Sequence, residues 1–219
     1  MSKILLLGAS GYMGRAFKAA LAKRNFQTLA PSRAQLNYCN FEVLRQYIRG
    51  LDGIDFLINA AGFTGKPNVE QCEVKREETL QGNLLLPQML SHLAAVENFR
   101  WLHIGSGCIY NGNNGGVGFT EEDEPNFSFK HNNCSFYSGV KALAEDYLRK
   151  DFRCYVARLR MPFDENDGPQ NYITKLLTYP KTYDNINSIS HIGDFVRTSL
   201  DLYERNCPTG IYNITNEGG

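Results

Sequence analysis

The sequence predicts an α/β fold in which one doubly wound, mostly parallel sheet is covered by helices on both faces. Three observations carry that expectation. Short apolar runs of strand length alternate with stretches of helical spacing along the whole chain. The segments between the runs are long enough to hold the crossover helices that parallel neighbours require. The first run, Ile4 to Leu7, ends directly in a glycine-rich turn that opens a helix.

Taken in order, the strand candidates are Lys3–Leu7, Phe26–Ala30, Ile54–Asn59, Trp101–Ile104, Arg153–Leu159 and Gly210–Ile214. Helical stretches fall between them at Tyr12–Lys23, Phe41–Ile48, much of Val74–Val96, Phe136–Leu148 and Asp194–Arg205. In the first, Ala16, Phe17, Ala20 and Leu21 recur at the spacing of one packed face. Asn111–Gly118 and Glu121–Asn133 are rich in turn-forming residues and read as loops. They follow the end of a central strand, where open α/β sheets place substrate contacts.

The turn after the first strand reads Gly8-Ala9-Ser10-Gly11-Tyr12-Met13-Gly14. Glycine permits a tight turn, lets a diphosphate approach the backbone and allows close packing of helix on strand. The free N–H groups at the helix start then face the phosphate charge. In this strand–turn–helix setting the run reads as a Rossmann-type dinucleotide site, with Gly8, Ser10, Gly11, Tyr12, Met13 and Gly14 at the cofactor. The second strand ends in Leu29-Ala30-Pro31-Ser32-Arg33, without the acidic residue that binds the ribose diol of NAD. Ser32 and Arg33 suit a 2′-phosphate instead, so NADP(H) is favoured over NAD(H). The plainer reading of Arg33 is a solvated loop residue.

Charge excludes some partners. The 219 residues hold 23 basic and 23 acidic side chains, which points away from nucleic acid and membrane surfaces. The apolar start is too short for a signal peptide or a membrane span. Six cysteines show neither zinc spacing nor a C-x-x-C pair, so reduced thiols in the cytoplasm are expected.

Tyr137-Ser138-Gly139-Val140-Lys141 opens a helix and sets its tyrosine and lysine on one face. Ser106 stands near the end of the preceding strand. A ketone that receives hydride needs a proton at its oxygen. Tyr137 can give it, Lys141 is expected to lower the phenol's pKa, and Ser106 can hold the oxygen.

With the glycine run, Asn59-Ala60-Ala61-Gly62 and this triad in order, the chain resembles the nucleotide-sugar branch of the extended short-chain dehydrogenase/reductases. The resemblance implies that Asn59, Ala60, Ala61 and Gly62 line the cofactor, and that Lys141 and Tyr137 also touch it. Segments 59–69, 106–110, 118–127, 158–162 and 171–175 are similar to the bifunctional 3,5-epimerase/4-reductases that make nucleotide-linked L-rhamnose. That likeness implies UDP-4-keto-6-deoxyglucose or its dTDP form as substrate, NADPH as reductant, and weakly a homodimer. It also gives Cys108 and Lys175 an acid/base role in inverting C3 and C5, whose hydrogens the 4-ketone acidifies. Without it, Cys108 reads as a buried thiol and Lys175 as a solvated helix residue.

Thr64, Lys66, Asn68, Arg160 and Asn171 are candidate substrate contacts. Loop duty competes for Lys66 and Asn68, and a salt bridge for Arg160. His103 reads as a core residue, and His191 has no assigned proton role. Residues 1–160 are expected to form the cofactor domain, and 161–219 a partial substrate lobe interleaved with the last strand and helix. Relatives normally continue past Gly219, which implies a shortened form or a fragment. Two alternatives stay open: a 4-keto reductase without epimerase activity, and a non-catalytic NADP-binding regulatory protein.

Overall fold

The computed structural model describes residues 2–182 and 186–217. Its elements in chain order are β1 (Lys3–Leu7), α1 (Tyr12–Ala22), β2 (Gln27–Leu29), α2 (Phe41–Gly50) and β3 (Phe56–Asn59). Two short helices, α3 (Gln71–Val74) and α4 (Arg76–Leu80), lead through a π-helical turn, Gln81–Leu85, into α5 (Leu86–Glu97). Then come β4 (Arg100–Ser106), a 3₁₀ turn at Gly107–Ile109, α6 (Phe136–Leu148) and β5 (Cys154–Leu159). The last part holds β6 (Pro162–Phe163), α7 (Tyr172–Thr178), β7 (Ser190–His191), α8 (Ile192–Glu204) and β8 (Gly210–Asn213).

Six strands form one parallel sheet in the order β2-β1-β3-β4-β5-β8. Alternate residues face opposite ways, so each strand feeds two cores. Leu5, Leu7, Leu57 and Trp101 pack with Leu44 of α2 and Leu90 of α5. Ile4, Leu6, Ile58 and Leu102 pack with Phe17 of α1 and Phe195 of α8. Each such buried side chain contributes about 1.5–3 kcal/mol against exposure, which is why the strands read as unbroken apolar runs. This is the doubly wound, Rossmann-type sheet that the sequence predicts.

The chain leaves β1 for β2 on one side and returns to β3 on the other. The crevice beyond the carboxyl ends of β1 and β3 is therefore the topological switch point, where such sheets bind ligands.

Two elements correct the sequence reading. The stretch Val74–Val96 is not one helix but α4, the π turn and α5. Pro87 lacks the N–H that would bond the Asn83 carbonyl, which removes one α-helical bond at that point. Asn83 also has a use for the wider turn: its buried side chain donates to Phe63 O at 2.7 Å and accepts from Phe63 N at 3.3 Å. The second correction lies beyond β5, where β6 and β7 pair in a small separate sheet and α7 stands between them in sequence. Two-residue strands carry no readable period.

Candidate active site

Gly8 has φ +76°, and a Cβ there would lie 2.5 Å from Ala61 N. A Cβ on Gly14 would lie 2.0 Å from Gly8 O, so only glycine lets α1 start this close to β1. Asn40, Ser135 and His191 cap α2, α6 and α8 with their side chains, whereas α1 begins at Gly11 with no side-chain cap and no acidic residue in its first turn. Ser10 and Gly11 are exposed beside it, and Met13 and Tyr12 open the helix. The positive end of α1 thus faces the switch-point crevice with free N–H groups. Burial, then the Asp164 carboxylate, push the Tyr12 phenol up to about 12.

Across the crevice, Asn59 is fully buried and accepts the Ala61 N–H at 3.2 Å, while Ala60 N donates to Leu7 O at 3.0 Å. The Asn59–Gly62 turn is thereby bound to the strand ends, with Gly62 against Asn83. At the end of β2, Ser32 closes a turn with Gln35, and Arg33 gives its Nε–H to Tyr38 Oη at 3.1 Å. The two terminal nitrogens of Arg33 have no hydrogen-bond partner among the described residues, and both Ser32 and Arg33 are exposed.

β4 runs to Ser106, whose Oγ accepts the Cys108 N–H at 3.3 Å and so turns the chain into the 3₁₀ turn. Ser135 caps α6 by accepting from Ser138 N at 3.2 Å, and Glu73 accepts the Phe136 N–H at 2.6 Å. These bonds fix the first turn of α6, which carries Tyr137. Burial raises the Tyr137 phenol, Cys108 and Cys72 add to the rise, and the Ser106 hydroxyl opposes it by hydrogen bonding.

The sequence reading expected Lys141 to lower that phenol, and the structure corrects it. Lys141 points into the protein, 6 % exposed, and donates to Ile104 O at 2.8 Å with His103 Nε2 at 3.3 Å. Burial brings the lysine itself down to about 8, against the pull of Cys108 and Glu145 toward its charged form. Arg160 packs against Gly107, donates to Asn187 Oδ1 at 2.8 Å, and has its charge favoured by Cys108 although burial lowers its pKa overall. Among the described residues Arg160 has no salt bridge. Ser106, Cys108, Tyr137, Lys141 and Arg160 therefore gather at one end of β4.

The remaining candidates make no hydrogen bond or ion pair to these groups among the described residues. Lys175 lies on α7, with no hydrogen bond or ion pair from its Nζ among the described residues. Thr64, Lys66 and Asn68 are exposed, and Asn68 turns its amide onto Glu70. Asn171 is a correction: it is 2 % exposed, caps α7 through Ile173 N and donates to Asp164 O and Asn166 O, which leaves it no group for a substrate. His103, read from the sequence as a core residue, is 3 % exposed and satisfied, and its bonds to both Asn59 and Lys141 are a link to the site that sequence reasoning missed. Its place three residues before Ser106, on a strand of the site, was the available signal.

A family model described as the RmlD substrate binding domain matches residues 2–191. The chain belongs to this RmlD family. A bifunctional dTDP-4-dehydrorhamnose 3,5-epimerase/dTDP-4-dehydrorhamnose reductase of Arabidopsis thaliana is 36% identical over 168 residues, covering 74% of this chain and 54% of that protein. A trifunctional UDP-glucose 4,6-dehydratase/UDP-4-keto-6-deoxy-D-glucose 3,5-epimerase/UDP-4-keto-L-rhamnose-reductase of the same plant is 35% identical over 168 residues, 74% of this chain and 24% of that one. The RmlD-family chain thus spans about half of the first relative and a quarter of the second. The crystal structure of a UDP-rhamnose synthase from Acanthamoeba polyphaga mimivirus superposes with a TM-score of 0.88 at 26% identity, covering 99% of this chain and 76% of that one. No described helix of this RmlD-family chain is long and apolar enough to cross a membrane.

Proposed function

We propose that this chain reduces the 4-ketone of a nucleotide-linked 6-deoxy sugar with NADPH, toward a nucleotide-linked L-rhamnose. One observation carries the reading: a protonated phenol, Tyr137, faces the Ser106 hydroxyl beside a glycine turn built for a diphosphate. The names of the relatives supply the sugar, as UDP- or dTDP-linked.

The dinucleotide fits the residues present, because the uncapped start of α1 offers N–H groups to a diphosphate and Arg33 offers two nitrogens to a 2′-phosphate. When bound, it supplies hydride to the carbonyl carbon. Tyr137, held protonated by burial, gives its proton to the carbonyl oxygen as that oxygen gains charge. Ser106 donates a hydrogen bond to the same oxygen and steadies it.

Cys108 sits partly exposed at the mouth of this site, which favours a second role as one acid/base of a 3,5-epimerisation. Lys175 remains the sequence candidate for its counterpart. Six free thiols suit a reducing, cytoplasmic setting.

The test is NADPH consumption with UDP-4-keto-6-deoxyglucose and with dTDP-4-dehydrorhamnose, followed by product stereochemistry. Tyr137→Phe should lower kcat by about 10²-fold or more and leave NADPH binding intact. An unchanged kcat removes the proposal. Cys108→Ser should stop C3/C5 solvent deuterium exchange while sparing reduction of an already epimerised ketone; continued exchange removes the epimerase half.

A further inference from the structure

Ser32 and Arg33 stand side by side after β2, and their donors are spent very differently. Ser32 gives its N–H to Gln35 Oε1 at 2.9 Å and its hydroxyl hydrogen to the same oxygen at 3.0 Å, while its Oγ accepts the Gln35 N–H at 3.3 Å. Arg33 spends its Nε–H alone, on Tyr38 Oη at 3.1 Å, and its guanidinium carbon lies 5.6 Å from the centre of that ring. Among the described residues no carboxylate pairs with Arg33, so the guanidinium has no internal anion to hold.

The acceptor is no loose surface group. Tyr38 is 3 % exposed and belongs to the core that holds Leu5, Leu36 and Leu44. A guanidinium is a planar fork. Tying Nε to a fixed phenol sets that plane and leaves the two terminal nitrogens as a pair, the geometry that grips a phosphate at two points. An untied arginine turns about several bonds, and the cost of ordering it falls on the ligand it binds.

We propose that Tyr38 is a specificity-determining residue for the cofactor: by holding Arg33 at Nε it presents both terminal nitrogens to a 2′-phosphate and so widens the preference for NADP(H) over NAD(H). The inference rests on the NADP(H) reading above and deepens it. Tyr38 is a positioning residue, acting through Arg33. Its hydroxyl therefore matters to a ligand that carries a 2′-phosphate and is indifferent to one that lacks it. A tyrosine that only supported the fold would serve both ligands alike.

The experiment measures binding to the full chain by titration calorimetry, with no turnover. The probes are NADPH against NADH, and 2′,5′-ADP against AMP, each pair differing by the 2′-phosphate alone. Tyr38→Phe keeps the ring and removes the acceptor. It should weaken NADPH and 2′,5′-ADP by about 3- to 10-fold and change NADH and AMP by less than about 2-fold. Arg33→Ala should remove most of the preference by itself. Adding Tyr38→Phe to it should then cost nothing more.

Equal weakening of both members of a pair would reduce Tyr38 to a structural role and overturn the proposal. So would an unchanged preference in Tyr38→Phe, or a second loss when it is added to Arg33→Ala. Should Tyr38→Phe fail to fold, Arg33→Lys decides, because it keeps the charge and gives up both the Nε–H and the fork. Its preference should fall by about 3-fold or more; an intact preference overturns the proposal. An unaltered chain that binds NADH as well as NADPH would sink the NADP(H) reading itself. A preference lost in Arg33→Ala but kept in Tyr38→Phe would sink only this inference.

Discussion

Burial takes Lys141 from 10.5 to about 8, and the sign of its effect on stability follows. Below about 8 both folded and unfolded chains carry the proton, and the folded state bears the full cost of the buried charge. Between there and 10.5 the folded chain sheds the proton while the unfolded chain keeps it, so stability rises with pH. The difference is worth about 3 kcal/mol. Lys141→Met should therefore melt higher than the unaltered chain at pH 7, by roughly 2–4 °C for each kcal/mol gained. The gap should narrow by pH 10, and reduction should be lost. A lower melting point at pH 7 would show that the lost bond to Ile104 outweighs the buried charge. His103 has the complementary window. Its folded pKa is depressed by burial, so the unfolded chain takes up a proton below about 6.5 that the folded chain refuses. Urea midpoints should fall from pH 6.5 to pH 5, with a shallower fall in His103→Gln.

The π turn shows what an element can hide. The apolar pattern of Val74–Val96 is helical throughout, and nothing in that period marks the extra residue at Gln81–Leu85. Only Pro87 hinted at a break. The wider turn serves the Phe63 backbone, to which Asn83 bonds from 20 residues away in sequence. Asn83→Ala should cost about 1–3 kcal/mol in urea unfolding, because Phe63 N and O lose their partner. It should also weaken NADPH binding measured by fluorescence, since the Gly62 turn loses its support. By contrast, the glycine run was legible. Its spacing is dictated by clashes within a few residues of chain, as Gly14 against Gly8 O shows. Gly14→Ala should abolish NADPH binding or folding.

For the molecule as a whole, the tie between sheet and helices is Arg158 with Glu145, 1 % and 4 % exposed. Arg158 also donates to Thr120 O and Asn213 Oδ1 and stacks on the Tyr110 ring, so β5, α6, β8 and the long loop after β4 meet on one guanidinium. Losing one partner leaves a buried charge. Arg158→Met should cost about 3–5 kcal/mol, and adding Glu145→Met should recover much of it. A double-mutant cycle by chemical unfolding measures the coupling. A double variant no better than the single would mean that the bonds to Thr120 and Asn213, rather than the ion pair, hold this corner.

The sheet, its winding, the glycine turn and the Ser106–Tyr137–Lys141 order were determined by the sequence alone, because each rests on short-range pattern. Apolar runs must be buried, and glycines must stand where a Cβ meets backbone. Tertiary structure decided where side chains point and what they share. It turned Lys141 inward onto His103 and engaged the Asn171 side chain in capping α7 and holding the loop before it. Those outcomes depend on which residues, far apart in the chain, come within a few ångströms. The register of β3 on β4 sets Asn59 opposite His103, and no local pattern encodes that pairing.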